Sequence, residues 1–191
     1  MEGLKDKVVV VAGASSGIGA ASAHKLAKHG ANVVVADISD DGARATAEAI
    51  MSSGGSAIPF RFDVTDESTI VALIAHVVET YGQIDGLHYN VADVALTPKD
   101  TNLLDIDPAD WERMLRVNLT GLFLTMRQVI PHMLKQGGAG LGEFEVLNFR
   151  TNTNETIIAE LKSRLSISEG EGNYSVEKTG LDVPAWYPVI D

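Results

Sequence analysis

The sequence predicts an α/β fold in which helices cover both faces of a parallel sheet, and two observations support this. Short apolar runs, typical of buried parallel strands, alternate with longer segments of helical periodicity up to about residue 137. The first apolar run, 8–12, leads into a glycine-rich turn that opens a helix. With 191 residues, 45% of them hydrophobic, the chain can bury a sizeable core. We expect a single domain over residues 1–191.

The predicted elements alternate regularly along the chain. Asp107 followed by Pro108 is a typical N-cap and first-turn pair, so a helix is expected to begin there. Repeated β-α units predict a parallel sheet that binds its ligand at the carboxyl ends of the strands. The predicted strands are 8–12, 32–37, 57–62 and one from Asp85, and the predicted helices are 20–26, 40–52, 66–81 and one from Asp107 toward Pro131.

The glycine-rich turn predicts a phosphate-binding site. Gly13, Gly17 and Gly19 lie between the first strand and the first helix. Glycine has no Cβ, so the backbone of such a turn can come close to a ligand. The helix that follows directs its unpaired N–H groups and its positive dipole end toward that ligand, which suits a pyrophosphate.

Asp37 predicts which dinucleotide binds. It ends the second predicted strand, 18 residues after Gly19, where an acidic residue can bind the ribose hydroxyls. Its charge would repel a 2′-phosphate, and neither 15–16 nor 38–39 offers a cation to neutralise one. We therefore expect NAD rather than NADP.

The spacing Gly13-x-x-x-Gly17-x-Gly19 resembles the cofactor loop of the short-chain dehydrogenase/reductase family, and the resemblance is clear over 1–137. It implies a Rossmann-like doubly wound sheet and NAD-dependent hydride transfer between nicotinamide and a secondary alcohol or ketone. Asn90 matches the family's Asn-Asn-Ala-Gly segment, from which Tyr89, Val91 and Ala92 depart. The resemblance assigns to the cofactor Gly13, Ser15, Ser16, Gly17, Ile18, Gly19, Asp37, Asp63, Val64, Asn90 and Lys178.

The resemblance also implies a set of catalytic residues. Asn118, in the segment 116–121, matches the family's proton-relay asparagine. Tyr174 and Lys178 form the family's Tyr-x-x-x-Lys, in which the tyrosine is the general acid/base. The lysine stabilises the phenolate and binds the nicotinamide ribose. Thr151, after the strand-like run 144–149, takes the place of the carbonyl-orienting serine.

Residues 138–191 diverge from the family pattern and are acidic, with nine acidic and four basic residues. Only 13 residues follow Lys178, whereas family members continue for about half a domain more. We therefore expect a C-terminally shortened fold. Two alternatives to an enzyme remain open, namely a non-catalytic dinucleotide-binding or interaction protein and a truncated, inactive product.

Composition and charge argue against several classes of binding partner. The chain has no cysteine, and its five histidines show no metal-ligand spacing, so no metal site is expected. A formal net charge of −11 argues against nucleic acid and anionic membranes as partners. We found neither a signal-peptide pattern nor an apolar run of membrane-spanning length, so we expect a cytoplasmic protein. The expected partner is a small alcohol or carbonyl substrate, and a homo-oligomer is left open.

Overall fold

The computed structural model describes residues 3–99 and 104–136. Its four strands are all parallel and lie in the order β3-β2-β1-β4. The predicted doubly wound, Rossmann-like sheet is confirmed for this part of the chain. The elements are β1 (Val8–Ala12), α1 (Gly17–Lys28), β2 (Asn32–Asp37), α2 (Asp40–Ser52), β3 (Ser56–Arg61), α3 (Glu67–Tyr81), β4 (Gly86–Tyr89), a 3₁₀ helix (Val94–Lys99), α4 (Pro108–Leu115), a π-helical segment (Arg116–Thr120) and α5 (Gly121–Lys135).

Helices cover both faces of the sheet. On one face Val10 of β1 belongs to a buried cluster with Leu73 of α3 and Val129 of α5. On the other face Val11 belongs to a second cluster with Ala47 of α2. Successive side chains of a strand point to opposite faces, so both faces need apolar residues. This is why the strands read as continuous apolar runs.

Side-chain caps fix where the helices begin. The Ser39 hydroxyl accepts a hydrogen bond from the Gly42 N–H, and α2 has the predicted bounds, 40–52. Asp66 accepts from the Ser68 N–H, so Asp66 precedes α3 as its cap. Asp107 likewise caps α4. The third strand begins and ends one residue earlier than predicted.

The long helix predicted after Asp107 is interrupted. Between α4 and α5 the Gly121 N–H bonds to the carbonyl of Arg116, five residues earlier, as in a π-helix. The interruption includes Asn118, the predicted relay residue. Such one-turn π segments occur frequently at functional sites.

Helix α5 continues past Pro131 to Lys135, whereas the sequence placed its end near the proline. Packing explains the difference. Val129 is buried in the core shortly before the proline. Gln136, directly after the last residue of α5, holds the end of the helix. The Gln136 side chain accepts from the Ile84 N–H at 2.9 Å and donates to the Ile84 carbonyl at 3.2 Å. These contacts offset the backbone hydrogen bond that Pro131 cannot donate.

A buried carboxylate joins the starts of β1 and β4. Asp85 accepts hydrogen bonds from the Val8 N–H at 2.8 Å, from Gln83 Nε2 at 2.7 Å and from Lys7 Nζ at 3.0 Å. Because these donors satisfy both oxygens, the carboxylate is tolerated in an interior position. The register of β4 against β1 is thereby fixed, and with it the place where both strands end.

Candidate functional site

The carboxyl ends of the four parallel strands meet at one edge of the sheet. Gly13 follows β1, Asp37 ends β2, Asp63 follows β3 and Asn90 follows β4. In open α/β sheets ligands bind at this edge, where the strand order changes direction. The structure therefore brings together predicted site residues that are up to 77 positions apart in the sequence.

The first glycine of the turn is fixed between β2 and β4. Its N–H donates to the Ala36 carbonyl at 2.8 Å, and the Asn90 N–H donates to the Ala12 carbonyl at 2.8 Å. Gly13 has a φ of +80°, and a Cβ there would lie 2.7 Å from the Asn90 carbonyl oxygen. Both the backbone conformation and the close approach require glycine at this position.

The other two glycines of the turn, Gly17 and Gly19, have different roles. A Cβ on Gly19 would collide with the Gly13 carbonyl oxygen, so Gly19 lets α1 begin directly against the turn. Gly17 has a φ of +56°, and a Cβ there would meet nothing within 4 Å. The space beside Gly17 is therefore open toward a ligand.

The N-terminus of α1 faces this open space. Ser16 precedes the helix without capping it through its side chain, and Ile18 is 59% exposed. The first N–H groups of a helix have no partner within the helix and carry its positive dipole end. Residues 16–19 can therefore bind an anionic group such as a pyrophosphate.

Asp37 joins the glycine turn to the end of β2. One carboxylate oxygen accepts from the Ser15 N–H at 3.0 Å and the other from the Ser39 N–H at 3.0 Å. The side chain is partly exposed. Each carboxylate oxygen can accept a second hydrogen bond, so the group can still bind hydroxyls of a ligand.

Asp63 and Val64 form the corresponding turn after β3. The Asp63 carboxylate accepts from the N–H of Thr65 at 2.9 Å and from its hydroxyl at 2.7 Å. Val64 is buried, and a Cβ on Gly121 would lie 2.7 Å from its Cβ. The Val64 side chain therefore packs in the core, against the start of α5.

Asn118 holds the chain that leaves β4. Its Oδ1 accepts from the Asp93 N–H at 3.0 Å. The Asp93 carboxylate in turn pairs with Arg113 Nε on α4 at 2.6 Å. Two bonds thus attach the segment after Asn90 to α4 and the π-helical segment. Asn118 was predicted from its motif, whereas Asp93 and Arg113 belong to no motif that could have indicated them.

Tyr89 departs from the family pattern, and the structure explains how it fits. Its hydroxyl donates to the Val117 carbonyl at 3.4 Å and would lie 3.0 Å from a Cβ on Gly121. The ring thus fills the space between β4 and the π-helical segment. Burial raises the pKa of Tyr89 above its ordinary value, so its hydroxyl stays a hydrogen-bond donor further into the alkaline range.

Thr151, Tyr174 and Lys178 lie outside the described residues.

Among residues 3–99 and 104–136 no group of three His, Cys, Asp or Glu side chains is arranged to hold a metal ion. Within the same ranges, no helix has both the length and the apolar character needed to cross a membrane.

The described residues fit a dinucleotide. Gly17 leaves open space beside the N–H groups of α1, and Asp37 presents a partly exposed carboxylate at the neighbouring strand end. A pyrophosphate needs the first feature, and a ribose diol needs the second. Fold and site together define a nucleotide-binding domain of the Rossmann type.

Comparison with known proteins identifies the family. The family described as short chain dehydrogenase matches residues 7–141. The chain therefore belongs to the short-chain dehydrogenase family, as the resemblance of its motifs implied.

Individual relatives agree with this assignment. The cis-4-hydroxycyclohexanecarboxylate dehydrogenase of Sinomonas cyclohexanicum is 36% identical over 140 residues, which are 73% of this chain and 55% of that protein. The 2,5-dichloro-2,5-cyclohexadiene-1,4-diol dehydrogenase of Sphingobium indicum is 35% identical over 140 residues, 73% of this chain and 54% of that protein. This chain therefore spans little more than half the length of these relatives.

A solved structure shows the same fold. A 7α-hydroxysteroid dehydrogenase complexed with NADH and 7-oxo glycochenodeoxycholic acid matches with a TM-score of 0.64 and 32% identity. The match covers 70% of this chain and 51% of that one. At 32% identity, this match agrees with the family assignment as well as with the fold.

The contact between Gly13 and Asn90 gives a first prediction. We expect Gly13→Ala to lower the free energy of unfolding by about 3 kcal/mol, since left-handed backbone costs alanine about 1–2 kcal/mol and overpacking costs a similar amount. Gly54→Ala is the matched control, because Gly54 has a φ of +83° but open space around its Cβ position. Urea unfolding followed by circular dichroism measures both. Equal losses in the two variants would show that the Asn90 contact contributes nothing.

Proposed function

We propose that this chain is a NAD-dependent oxidoreductase that transfers hydride between nicotinamide and a small alcohol or carbonyl substrate. The observation that carries the proposal is the Asp37 carboxylate, which lies beside the glycine turn and bonds to the Ser15 N–H. The relatives support the reaction type, since they are dehydrogenases and one solved relative holds NADH.

The choice of NAD follows from the charge and position of Asp37. Its two backbone hydrogen bonds, from Ser15 and Ser39, hold the carboxylate where β2 ends. The remaining lone pairs accept hydrogen bonds from the two ribose hydroxyls of NAD. In NADP one of these hydroxyls carries a phosphate, which the carboxylate repels. Asp37 therefore favours NAD through both attraction and repulsion.

One observation favours NADP as a second candidate. Arg61 on β3 is the register partner of Asp37, so a cation lies on the strand next to the ribose position. The positive charge of Arg61 also contributes to lowering the pKa of the Asp66 carboxyl, after the larger effect of hydrogen bonds from Ser68. Because Arg61 is exposed and thus well solvated, we expect the repulsion from Asp37 to outweigh its attraction.

The relative affinities for NADH and NADPH test this choice. We expect Asp37→Asn to lower the ratio of the NADPH to the NADH dissociation constant about tenfold, because the variant loses the repelling charge. Asp41→Asn removes the same charge from an exposed position on α2 and should leave the ratio unchanged. Calorimetric titration of each variant gives both constants. A wild-type preference for NADPH that Arg61→Ala abolishes would instead establish the second candidate.

We assign the proton chemistry to Tyr174, Lys178 and Thr151. The bound nicotinamide supplies or accepts the hydride. The Tyr174 hydroxyl gives a proton to the substrate oxygen during reduction and takes one during oxidation. The Lys178 ammonium stabilises the phenolate and binds the nicotinamide ribose. The Thr151 hydroxyl donates a hydrogen bond that orients the substrate oxygen.

We assign to Asn118 the role of a proton relay. Its Oδ1 is held by the Asp93 N–H, which fixes the side chain between the π-helical segment and the end of β4. Its amide nitrogen remains a donor that can hydrogen-bond a water molecule beside the site. A proton that leaves Tyr174 can pass to solvent through this water molecule.

Turnover tests the catalytic part of the proposal. We expect Tyr174→Phe to lower kcat on secondary alcohols by about 10²–10⁴-fold, the usual contribution of a general acid/base, while NADH binding persists. Tyr187→Phe removes a hydroxyl outside the motif and should retain activity. Wild-type binding without turnover of any secondary alcohol or ketone would support the non-catalytic alternative. Binding of neither cofactor would support the inactive-product alternative.

We further propose that the chain forms a homo-oligomer in the cytoplasm. The support for self-association is a row of exposed apolar side chains at intervals of four along α4, the π-helical segment and α5. Exposed apolar surface of this kind is typical of protein interfaces. The row consists of Trp111, Leu115, Leu119 and Phe123. The cytoplasmic location rests on the sequence alone.

A further inference from the structure

Helix α2 contacts the cofactor turn at Ser15. Thr46 is buried, and its hydroxyl donates to the Ser15 carbonyl at 3.3 Å. Gly42 lies four residues earlier on α2, so it shares the face of Thr46. Ser15 is thereby held at both ends of its backbone, through its N–H by Asp37 and through its carbonyl by Thr46.

Gly42 lets the helix approach Ser15 this closely. A Cβ on Gly42 would lie 2.6 Å from the Ser15 Cβ and 3.0 Å from the Ser39 Oγ. The 3.0 Å approach to the Ser39 Oγ needs only a small shift of that side chain, but the Ser15 Cβ is fixed to its backbone and can move only with the turn. Glycine is a weaker helix former than alanine. Gly42 therefore makes the alanine-rich α2 less stable than an alanine would, but it permits the contact with the turn.

We propose that Gly42 and Thr46 are positioning residues that set the place of Ser15 in the cofactor turn and thereby the affinity for the dinucleotide. This inference rests on the proposed function, because the affected ligand is the nicotinamide dinucleotide. Neither residue touches the open space beside Gly17. They act through Ser15, whose displacement would move the N–H groups that follow it at the start of α1. Small displacements of positioning groups can have large effects on binding and catalysis.

The decisive variant is Gly42→Ala in the full 191-residue chain. We expect the NADH dissociation constant to rise about tenfold, because the new methyl group displaces Ser15. Ser52→Ala, at an exposed position near the other end of α2, adds an alanine without contacting Ser15 and should leave the constant unchanged. Equal NADH affinity in wild type and Gly42→Ala would overturn the inference while leaving the proposed function intact.

A double variant tests whether the effect passes through Ser15. Ser15→Gly removes the Cβ that the new methyl group would meet. In that background Gly42→Ala should change the NADH dissociation constant by less than about twofold, so the two substitutions are strongly non-additive. A general loss of helix packing would instead lower affinity equally in both backgrounds, which would contradict the inference.

Thr46 provides an independent test through a conservative variant. Thr46→Val keeps the volume but loses the hydroxyl that donates to Ser15, so it should weaken NADH binding. Thr46→Ser retains the hydroxyl and should restore most of the affinity. If both variants bound NADH equally, the hydrogen bond to Ser15 would have no positioning role.

One measurement separates this inference from the proposed function. Hydrogen exchange of the Ser15 amide, followed by NMR without cofactor, reports on its bond to Asp37. We expect faster exchange in Gly42→Ala than in wild type or Ser52→Ala. Unchanged exchange would overturn the inference even if the wild-type chain bound neither NADH nor NADPH. If the wild-type chain bound neither cofactor but exchange were faster in Gly42→Ala, the proposed function would be overturned, whereas the positioning of Ser15 by α2 would be supported.

Discussion

The carboxylate of Asp37 joins the two loops on which the site depends. Its oxygens accept the N–H groups of Ser15 and Ser39, so the glycine turn after β1 and the turn after β2 are held together. The same turn after β1 is held by Ala36 from the sheet and by Thr46 from α2. The turn that precedes the open N-terminus of α1 is therefore held by hydrogen bonds within the chain itself, to residues of β2 and α2. Such preorganisation reduces the ordering that binding would otherwise require.

Much of this arrangement could be predicted from the sequence because it follows from local rules. Buried parallel strands require apolar runs, which located β1 and β2, and Asp107 followed by Pro108 predicted the start of α4. Gly13 was predicted to allow close approach to a ligand, and the structure adds a close approach of the protein itself, through the Asn90 carbonyl. Parallel topology then brings the strand ends to one edge, which is why widely spaced motifs could be assigned to one site.

The contacts that tertiary packing decides could not be predicted. The π-helical segment, the continuation of α5 past Pro131 and the place of Tyr89 all depend on neighbours distant in the sequence. The role of Gly42 is another example, because a glycine near a helix start has no local pattern that indicates contact with Ser15. The roles of Thr151, Tyr174 and Lys178 stay predictions from the family resemblance, since these residues lie outside the described ranges.

The proposed function requires that a nicotinamide dinucleotide binds at the glycine turn and Asp37. A two-dimensional NMR spectrum of the full chain, titrated with NADH, tests it most directly. We expect saturable shifts that are largest for the amides of residues 13–19 and 37–39, with little change on the opposite edge of the sheet, near the starts of β1 and β4. The absence of saturable shifts, or shifts centred away from the turn, would contradict it.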